Sequence, residues 1–140
     1  ESESMAGRFR LTPGNIDDLR QALIDFGCDL TRFLLSREHL RFIHALGAST
    51  GLPQASRESI FRNGPLATRD RLAEWLHRAT AAGLLNCPNP AGSAEKFLGM
   101  LMGLDLVRTL YHVALPRDVD ALAAHVTNTV DDFLTLHRRA

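Results

Sequence analysis

The stretch from Glu95 to Val113, EKFLGMLMGLDLVRTLYHV, decides the fold because it is apolar on more than one side of a helix. One row of the predicted helix is Phe97, Leu101, Leu104 and Val107, and a second is Leu98, Met102, Leu106 and Leu110. If only one side were covered, each large side chain in the other row would forfeit about 1.5–3 kcal/mol of burial. The sequence therefore predicts a continuous helix that needs two covers.

Two arrangements supply those covers. In the first, a homodimer is formed, and the last two helices meet their twofold copies as a four-helix bundle. Gly99 and Gly103 would let another backbone approach closely. In the second, the stretch is the central helix of a monomeric bundle, and its glycines serve ordinary packing. The residues that we predict at the interface of the dimer are Leu98, Met102, Asp105, Leu106, Val119, Leu122, Val126, Val130 and Phe133.

Helical spacing recurs throughout the chain, and alternating strand patterns do not, so we predict an all-α fold. A length of 140 residues indicates one domain. We assign residues 15–140 to it, and residues 1–14 to the end of a preceding helix and a loop. The first full helix is predicted to start at the cap Asn15, and its apolar stripe is Leu19, Leu23, Phe26, Leu30, Phe33 and Leu34.

Caps and prolines predict the remaining boundaries. Ser36 starts a second helix, and a short third helix follows Gly51-Leu52-Pro53 and ends at Asn63-Gly64-Pro65. The next helix, Leu66 to Ala82, has the stripe Leu72, Trp75, Leu76 and Ala79. Asn89-Pro90 opens the apolar helix, and Pro116 opens the last one, with Asp118 in its first turn. The seam of that last helix is Val119, Leu122, Val126, Thr129, Phe133 and Leu136.

Composition excludes several function classes. The 16 basic and 16 acidic residues balance, which argues against nucleic-acid binding by this chain alone. The start of the chain has no apolar signal region, and the two cysteines, Cys28 and Cys87, lack disulfide spacing, so we expect a cytoplasmic protein. No nucleophile elbow or phosphate loop occurs, and Glu74 and His77 lack the second Glu-x-x-His pair of a di-iron bundle. We expect neither catalysis nor a metal or other cofactor.

The order of elements resembles a known family. The segments on which the resemblance depends are LLSREHLRFI, GLPQASRESIFRNGP and RLAEWLHRATAAGLLNCPNPAGSAEKFLGMLMG, within the run from about Leu35 to Phe133. They resemble the C-terminal ligand-binding and dimerisation domain of TetR-family transcriptional regulators, closest to the AefR-like branch. The resemblance implies a homodimer, a small hydrophobic effector, and DNA binding through an N-terminal helix-turn-helix domain that these residues do not contain.

The resemblance also implies an effector cavity between the helices. Its predicted lining is Phe33, Phe42, Leu46, Phe61, Leu72, Trp75, Leu76, Phe97 and Leu101. Plain core packing accounts for any one of these residues equally well, and Trp75 is the best single candidate because it is the only tryptophan and has a large amphipathic ring.

Polar residues on the apolar helix are the other candidates. Asp105 and Arg108 are three apart and can pair, which favours a structural or cross-dimer ion pair over ligand recognition. His44 and His112 each have a local hydrogen bond as the simpler explanation. The sequence thus predicts an effector-sensing, homodimerising domain of a TetR-like repressor. The alternative is a stand-alone helical module that binds a partner protein through the apolar helix.

Overall fold

The computed structural model describes residues 9, 11–113 and 118–139, and all the secondary structure in these residues is helical. This confirms the predicted all-α class. In chain order the elements are α1 (Ile16–Leu34), α2 (Arg37–Ala48), α3 (Gln54–Phe61), a π-helical turn (Arg62–Leu66), α4 (Ala67–Ala81), α5 (Pro90–Met102), α6 (Asp105–Leu110) and α7 (Val119–Leu136). Within the described ranges, no helix is both long and apolar enough to cross a membrane.

The predicted caps follow local chemistry and are found in place. Asn15 accepts a hydrogen bond from the backbone N–H of Asp18, and Ser36 accepts one from His39. Asn89 caps α5 just before Pro90, whose missing N–H costs nothing at that position. Asp118 caps α7 and does not lie in its first turn, which corrects the prediction. Pro116 and most of residues 1–14 lie outside the described residues.

The predicted stop at Asn63-Gly64-Pro65 is wrong. The chain passes from α3 through the π-helical turn into α4 without leaving helical dihedral angles, and Ala67 N donates to the carbonyl oxygen of Gly64. The wider turn accommodates Pro65, whose ring would clash with the preceding turn of an α-helix. The Asn63-Gly64-Pro65 sequence therefore produces a π-helical turn within one long helical run and does not end it.

The predicted continuous helix from Glu95 to Val113 is also wrong. Gly103 has a φ of +49°, a left-handed conformation that L side chains rarely adopt, and it ends α5. The chain then starts a separate helix, α6, at Asp105. The apolar stretch is divided between two helices, so its two rows need not share a single axis.

The core lies among α1, α4, α5 and α7. The extensive helix pairs are α4 with α5 and α1 with α7, and α5 also packs on α7. The predicted stripe of α4 is fully buried, and so are Leu19, Leu23, Phe26 and Leu30 of α1. Of the rest of the α1 stripe, Phe33 is exposed and Leu34 half-buried. In α7, Val119 and Leu136 are exposed, because the seam turns away from the core at both ends.

Helices α2 and α3 stand apart from this core. Neither contains a buried residue, although Leu40, Ile43, Leu46 and Ile60 are half-buried. Arg57 of α3 donates to the carbonyl oxygens of Leu46 and Ser49, which ties α3 to the end of α2. The two helices therefore form a unit outside the core, which α2 connects to α1.

Candidate functional site

The outer side of α6 and its flanks is an exposed apolar surface. Leu104 and Leu110 are 63% and 56% exposed, and Leu106, Val107, Tyr111 and Val113 are exposed as well. We call these six residues the α6 apolar surface. Soluble proteins scatter single exposed apolar residues, but a contiguous group of this size usually marks an interaction site.

The inner side of α6 is polar, which is the reverse of an ordinary amphipathic helix. Asp105 and Thr109, four residues apart, are buried. Asp105 Oδ1 accepts a hydrogen bond from Arg108 Nη1 at 2.8 Å, so the predicted ion pair is confirmed. The Thr109 hydroxyl oxygen is buried and has no hydrogen-bond partner within residues 9, 11–113 and 118–139. This short helix thus exposes its apolar side and buries its polar one.

His44 joins α2 to this inner side. Its Nε2 lies 3.2 Å from the carbonyl oxygen of Thr109, and because that oxygen only accepts, Nε2 carries the proton. The His44 and His112 rings are 4.4 Å apart between centroids. His112 has a φ of +56° and ends α6, with Val113 N donating back to Arg108 O. The hydrogen bond of His44 is therefore to a distant part of the chain and not local, and His112 contributes a ring contact.

The predicted dimer-interface residues fall into two groups. Leu106 and Val119 are exposed, and Leu98, Met102 and Leu122 are half-buried, so these five retain surface for a partner. In contrast, Val126, Val130 and Phe133 are 0% exposed, because they pack inside the core of their own chain. These three residues are therefore unavailable to a partner, which corrects the predicted interface. Asp105 faces inward and is likewise unavailable to a partner on the outer side.

Gly99 is the helix-interior glycine that fits the predicted close approach. It is exposed, and a β-carbon built on it would meet no atom within 4 Å. Alanine would favour the isolated helix by about 0.8–1 kcal/mol. The structure of the single chain therefore gives no packing reason for the glycine. Gly103 instead serves as the turn between α5 and α6.

The predicted effector-lining residues also separate. Leu72, Trp75, Leu76, Phe97 and Leu101 all lie in the closed core. Phe33, Phe42 and Phe61 are exposed, and Leu46 is half-buried. His39 lies between two of these aromatic residues, with ring centroids 4.8 Å from Phe33 and 6.1 Å from Phe42, and burial lowers its pKa. The structure therefore divides the set between the core and residues outside it on α1, α2 and α3, and the assignment to a ligand stays a prediction.

Residues near the N-terminus of the chain contact Trp75. Its indole N–H donates to the carbonyl oxygen of Leu11 at 3.2 Å, and its ring lies 4.9 Å from that of Phe9. Arg78, one helical turn on, donates to the carbonyl oxygen of Phe9. Phe9 is buried against Phe26 as well, at 4.8 Å. Sequence reasoning missed Phe9, because it lies outside any periodic stripe.

The sequence did not predict the hydrogen bonds of two further histidines, His125 and His137. His125 Nε2 lies 2.8 Å from the carbonyl oxygen of Leu101 and satisfies the C-terminal end of α5 from α7. His137 Nδ1 lies 2.9 Å from the Phe133 carbonyl oxygen, and its Nε2 lies 2.9 Å from Ser93 Oγ. Because α5 and α7 meet only in the folded chain, spacing along the sequence carries no signal for the contacts of His125 with Leu101 and of His137 with Ser93.

The remaining candidates have structural roles. Cys28 packs against the core, and burial raises the pKa of the Cys87 thiol, which disfavours a reactive thiolate. Glu74 and His77 are exposed, and Glu74 pairs with Arg78 at 3.9 Å. In the ranges that the structure describes, no three His, Cys, Asp or Glu side chains group as metal ligands would.

A groove of about 480 Å³ lies at the opposite side of the core from α6, between the start of α1 and the end of α7. Its walls are Ile16, Leu84, Leu85, Asp131, Leu134, Thr135, Arg138 and Arg139. None of the predicted effector-lining residues borders it. The Arg20–Asp131 ion pair closes one side, with Nε to Oδ1 at 2.7 Å.

Comparison with known proteins agrees with this architecture. The family model described as AefR-like transcriptional repressor, C-terminal domain, matches residues 21–139. The fold is similar to the crystal structure described as that of a TetR-family transcriptional regulator from Mesorhizobium loti MAFF303099, with a TM-score of 0.80 and 19% identity. That similarity covers 96% of this chain and 65% of the other, so the chain spans less than two thirds of that protein. No curated protein sequence matches the chain. The family match over residues 21–139 means that the chain belongs to the TetR family, as an AefR-like C-terminal domain of a transcriptional regulator.

Proposed function

We propose that this chain is the homodimerising and effector-sensing part of a transcriptional repressor whose DNA contacts are made by an N-terminal helix-turn-helix domain. The observation that carries the proposal is the α6 apolar surface, which a single chain leaves exposed. A regulator domain of a non-enzymatic family needs no catalytic group.

A second copy is the cover that fits this surface best. Leu98, Met102, Leu106 and Leu122 lie on the predicted interface and keep surface for a partner. Gly99 would let the partner's backbone approach. The two predicted last helices, now α5 with α6 and α7, would meet their twofold copies as a four-helix bundle. Such an interface is self-complementary, so one apolar surface serves both subunits.

Light scattering on the purified chain at micromolar concentration tests the dimer. We expect a dimer for the wild type and monomers for Leu106→Glu and Leu110→Glu, because a dimer would bury an unpaired charge. Both leucines are exposed in the single chain, so helical content and melting of the monomer should be retained. Leu11→Glu makes the same change at a leucine that is 82% exposed outside this surface, and it should stay dimeric.

A monomeric wild type would overturn the dimer. It would favour the alternative of a stand-alone module that binds another protein through the α6 apolar surface. Arg69 would not serve as a surface control, because its guanidinium pairs with Asp70 at 3.0 Å and Glu95 at 3.7 Å.

The effector site is proposed between the α2–α3 unit and the core. Helices α2 and α3 contribute half-buried apolar residues but no buried ones, so a ligand can be covered there without opening the core. Of the predicted lining, Phe42 and Leu46 lie on α2, Phe61 ends α3, and Phe33 lies near the end of α1. An apolar, aromatic lining suits a small hydrophobic molecule. The ligand would regulate DNA binding only by preferring one of two arrangements of the dimer.

A direct test titrates p-xylene, an apolar aromatic probe, into the isotope-labelled chain and maps the amide shifts by NMR. Shifts centred on α2, α3 and α6 support the site. Shifts centred on the groove at Ile16 and Leu134 would assign ligand binding to the other side of the core. Trp75 fluorescence follows the same titration, and an unchanged emission would remove Trp75 from the site.

A further inference from the structure

The buried polar side of α6 calls for its own explanation. A helix of this composition could bury its leucines and expose Asp105 and Thr109 by rotating about its axis, yet it does the opposite. Burying polar groups costs free energy unless each finds a partner. Arg108 supplies one for Asp105. The free-energy cost of burying the Thr109 hydroxyl must be offset as well.

The Thr109 hydroxyl is the unusual group. Thr109 is only 6% exposed, and its Oγ1 has no hydrogen-bond partner among the residues that the structure describes. Buried side-chain polar atoms are nearly always hydrogen-bonded, so an exception points to a missing partner. By contrast, the hydroxyl of the buried Thr31 is satisfied by its own helix, since its Oγ1 donates to the carbonyl oxygen of Gly27 at 2.7 Å.

The backbone of Thr109 contacts α2. His44 of α2 lies 3.2 Å from the carbonyl oxygen of this residue, so α2 and α6 are neighbours at Thr109. The half-buried Leu40, Ile43 and Leu46 also belong to α2. A ligand under α2 would therefore meet apolar side chains from one helix and a lone hydroxyl from the other.

From these observations we propose that Thr109 is the polar anchor of the effector site, and that the effector is a hydrophobic molecule carrying a hydroxyl or carbonyl group. The inference rests on the proposed effector function and narrows it to a class of ligand. A hydroxyl both donates and accepts, so either head group can complete the hydrogen bond. Asp105 and Arg108 neutralise each other beside it, so no net charge is needed on the ligand.

The test compares two probes of the same shape. In p-cresol a hydroxyl replaces one methyl group of p-xylene, so the pair differs in the hydrogen bond and hardly in volume. We expect the wild-type chain to bind p-cresol about tenfold more tightly than p-xylene, measured by NMR titration. Thr109→Val, which keeps the shape and removes the hydroxyl, should abolish this preference.

Thermal unfolding without ligand gives a second readout. Because Thr109→Val removes an unsatisfied buried hydroxyl, it should raise the melting temperature. Thr31→Val is the matched control, since it removes a buried hydroxyl that is hydrogen-bonded. It should lower the melting temperature and leave the preference for p-cresol intact.

Equal affinities of the wild type for the two probes would overturn the polar anchor and leave the effector site standing. Failure to bind p-cresol at all, or a p-cresol preference that survives Thr109→Val, would overturn it too. A lowered melting temperature in Thr109→Val would show that the hydroxyl is already satisfied, with the same consequence. Loss of the dimer, measured separately, bears only on the proposed function.

Discussion

Gly27 and Val126 lie so close that a β-carbon on Gly27 would be 2.7 Å from Val126 Cγ1. The same β-carbon would lie 3.2 Å from Leu101 Cδ2. Gly27 thus lets α1 approach both α7 and α5 at the centre of the core. Because α5 leads into α6, this contact sets where the exposed apolar surface and the buried Thr109 are placed.

The first prediction concerns this contact. Gly27→Ala should destabilise the chain by about 1–3 kcal/mol, because the methyl group overpacks the core by more than alanine gains in helix propensity. Urea unfolding followed by circular dichroism measures the change. Gly47→Ala is the control, since Gly47 is exposed inside α2 with no atom within 4 Å of an added β-carbon, and it should stabilise. An equal gain in both variants would contradict the close approach.

The second prediction separates chain stability from dimerisation. Gly99→Ala should leave the single chain as stable or up to about 1 kcal/mol more stable, since open space surrounds the position. If a partner's backbone approaches there, the same methyl group should weaken the dimer, seen as a higher dissociation constant in analytical ultracentrifugation. Gly47→Ala again serves as control and should leave the dissociation constant unchanged. A tighter or unchanged dimer in Gly99→Ala would place the interface elsewhere.

The third prediction concerns pH. The hydrogen bond from Arg20, with its positive charge, holds the pKa of Asp131 below its usual range, and Asp131 raises the pKa of Arg20. A carboxylate whose pKa is lowered by folding stabilises the folded chain above its unfolded pKa, about 3.9, and loses that contribution as the pH falls through the folded value. The destabilisation by Arg20→Gln should therefore be largest near neutral pH and vanish in acid.

Urea unfolding at pH 7 and near pH 3 gives this comparison. Both side chains are exposed, so the effect should be small and should decrease with added salt. Arg41→Gln alters an exposed arginine that has no resolved ion pair among the described residues, and its effect should not change between the two pH values. A destabilisation by Arg20→Gln that grows in acid would contradict the assigned ion pair.

Local signals in the sequence accounted for much of the fold. Asn15, Ser36 and Asn89 cap helices through hydrogen bonds within a few residues, so the sequence alone predicts them. The stripe containing Leu72 and Trp75 was likewise predictable, because period and burial agree. The helix boundaries at Pro65 and Gly103 were not, since the outcome depends on packing around the turn.

The candidate site depended on tertiary contacts that spacing does not encode. The sequence showed two apolar rows on the stretch containing α6, but which side of α6 faces water is decided by the turn at Gly103 and by Arg108 and His44. Phe9 was missed because an aromatic residue in an irregular segment has no period. Phe133 was placed on the seam correctly, but the seam faces the chain's own core.

The fourth prediction uses that difference. Phe133 is 0% exposed, with its ring 5.1 Å from Phe97 and 4.2 Å from His137. Phe133→Glu should therefore destabilise the chain itself by more than about 3 kcal/mol, through lost packing and a buried unpaired charge. Leu106→Glu, at an exposed position, should leave the unfolding of the monomer unchanged and affect only assembly.

Unfolding curves measured at several protein concentrations distinguish the two effects. A variant that damages only the interface loses the concentration dependence of its melting temperature but keeps a cooperative transition. A variant that damages the core loses the transition or shifts it at every concentration. If Phe133→Glu behaved as Leu106→Glu is expected to, the ring would have to lie at the surface. The core that joins α5 to α7 would then be assigned incorrectly.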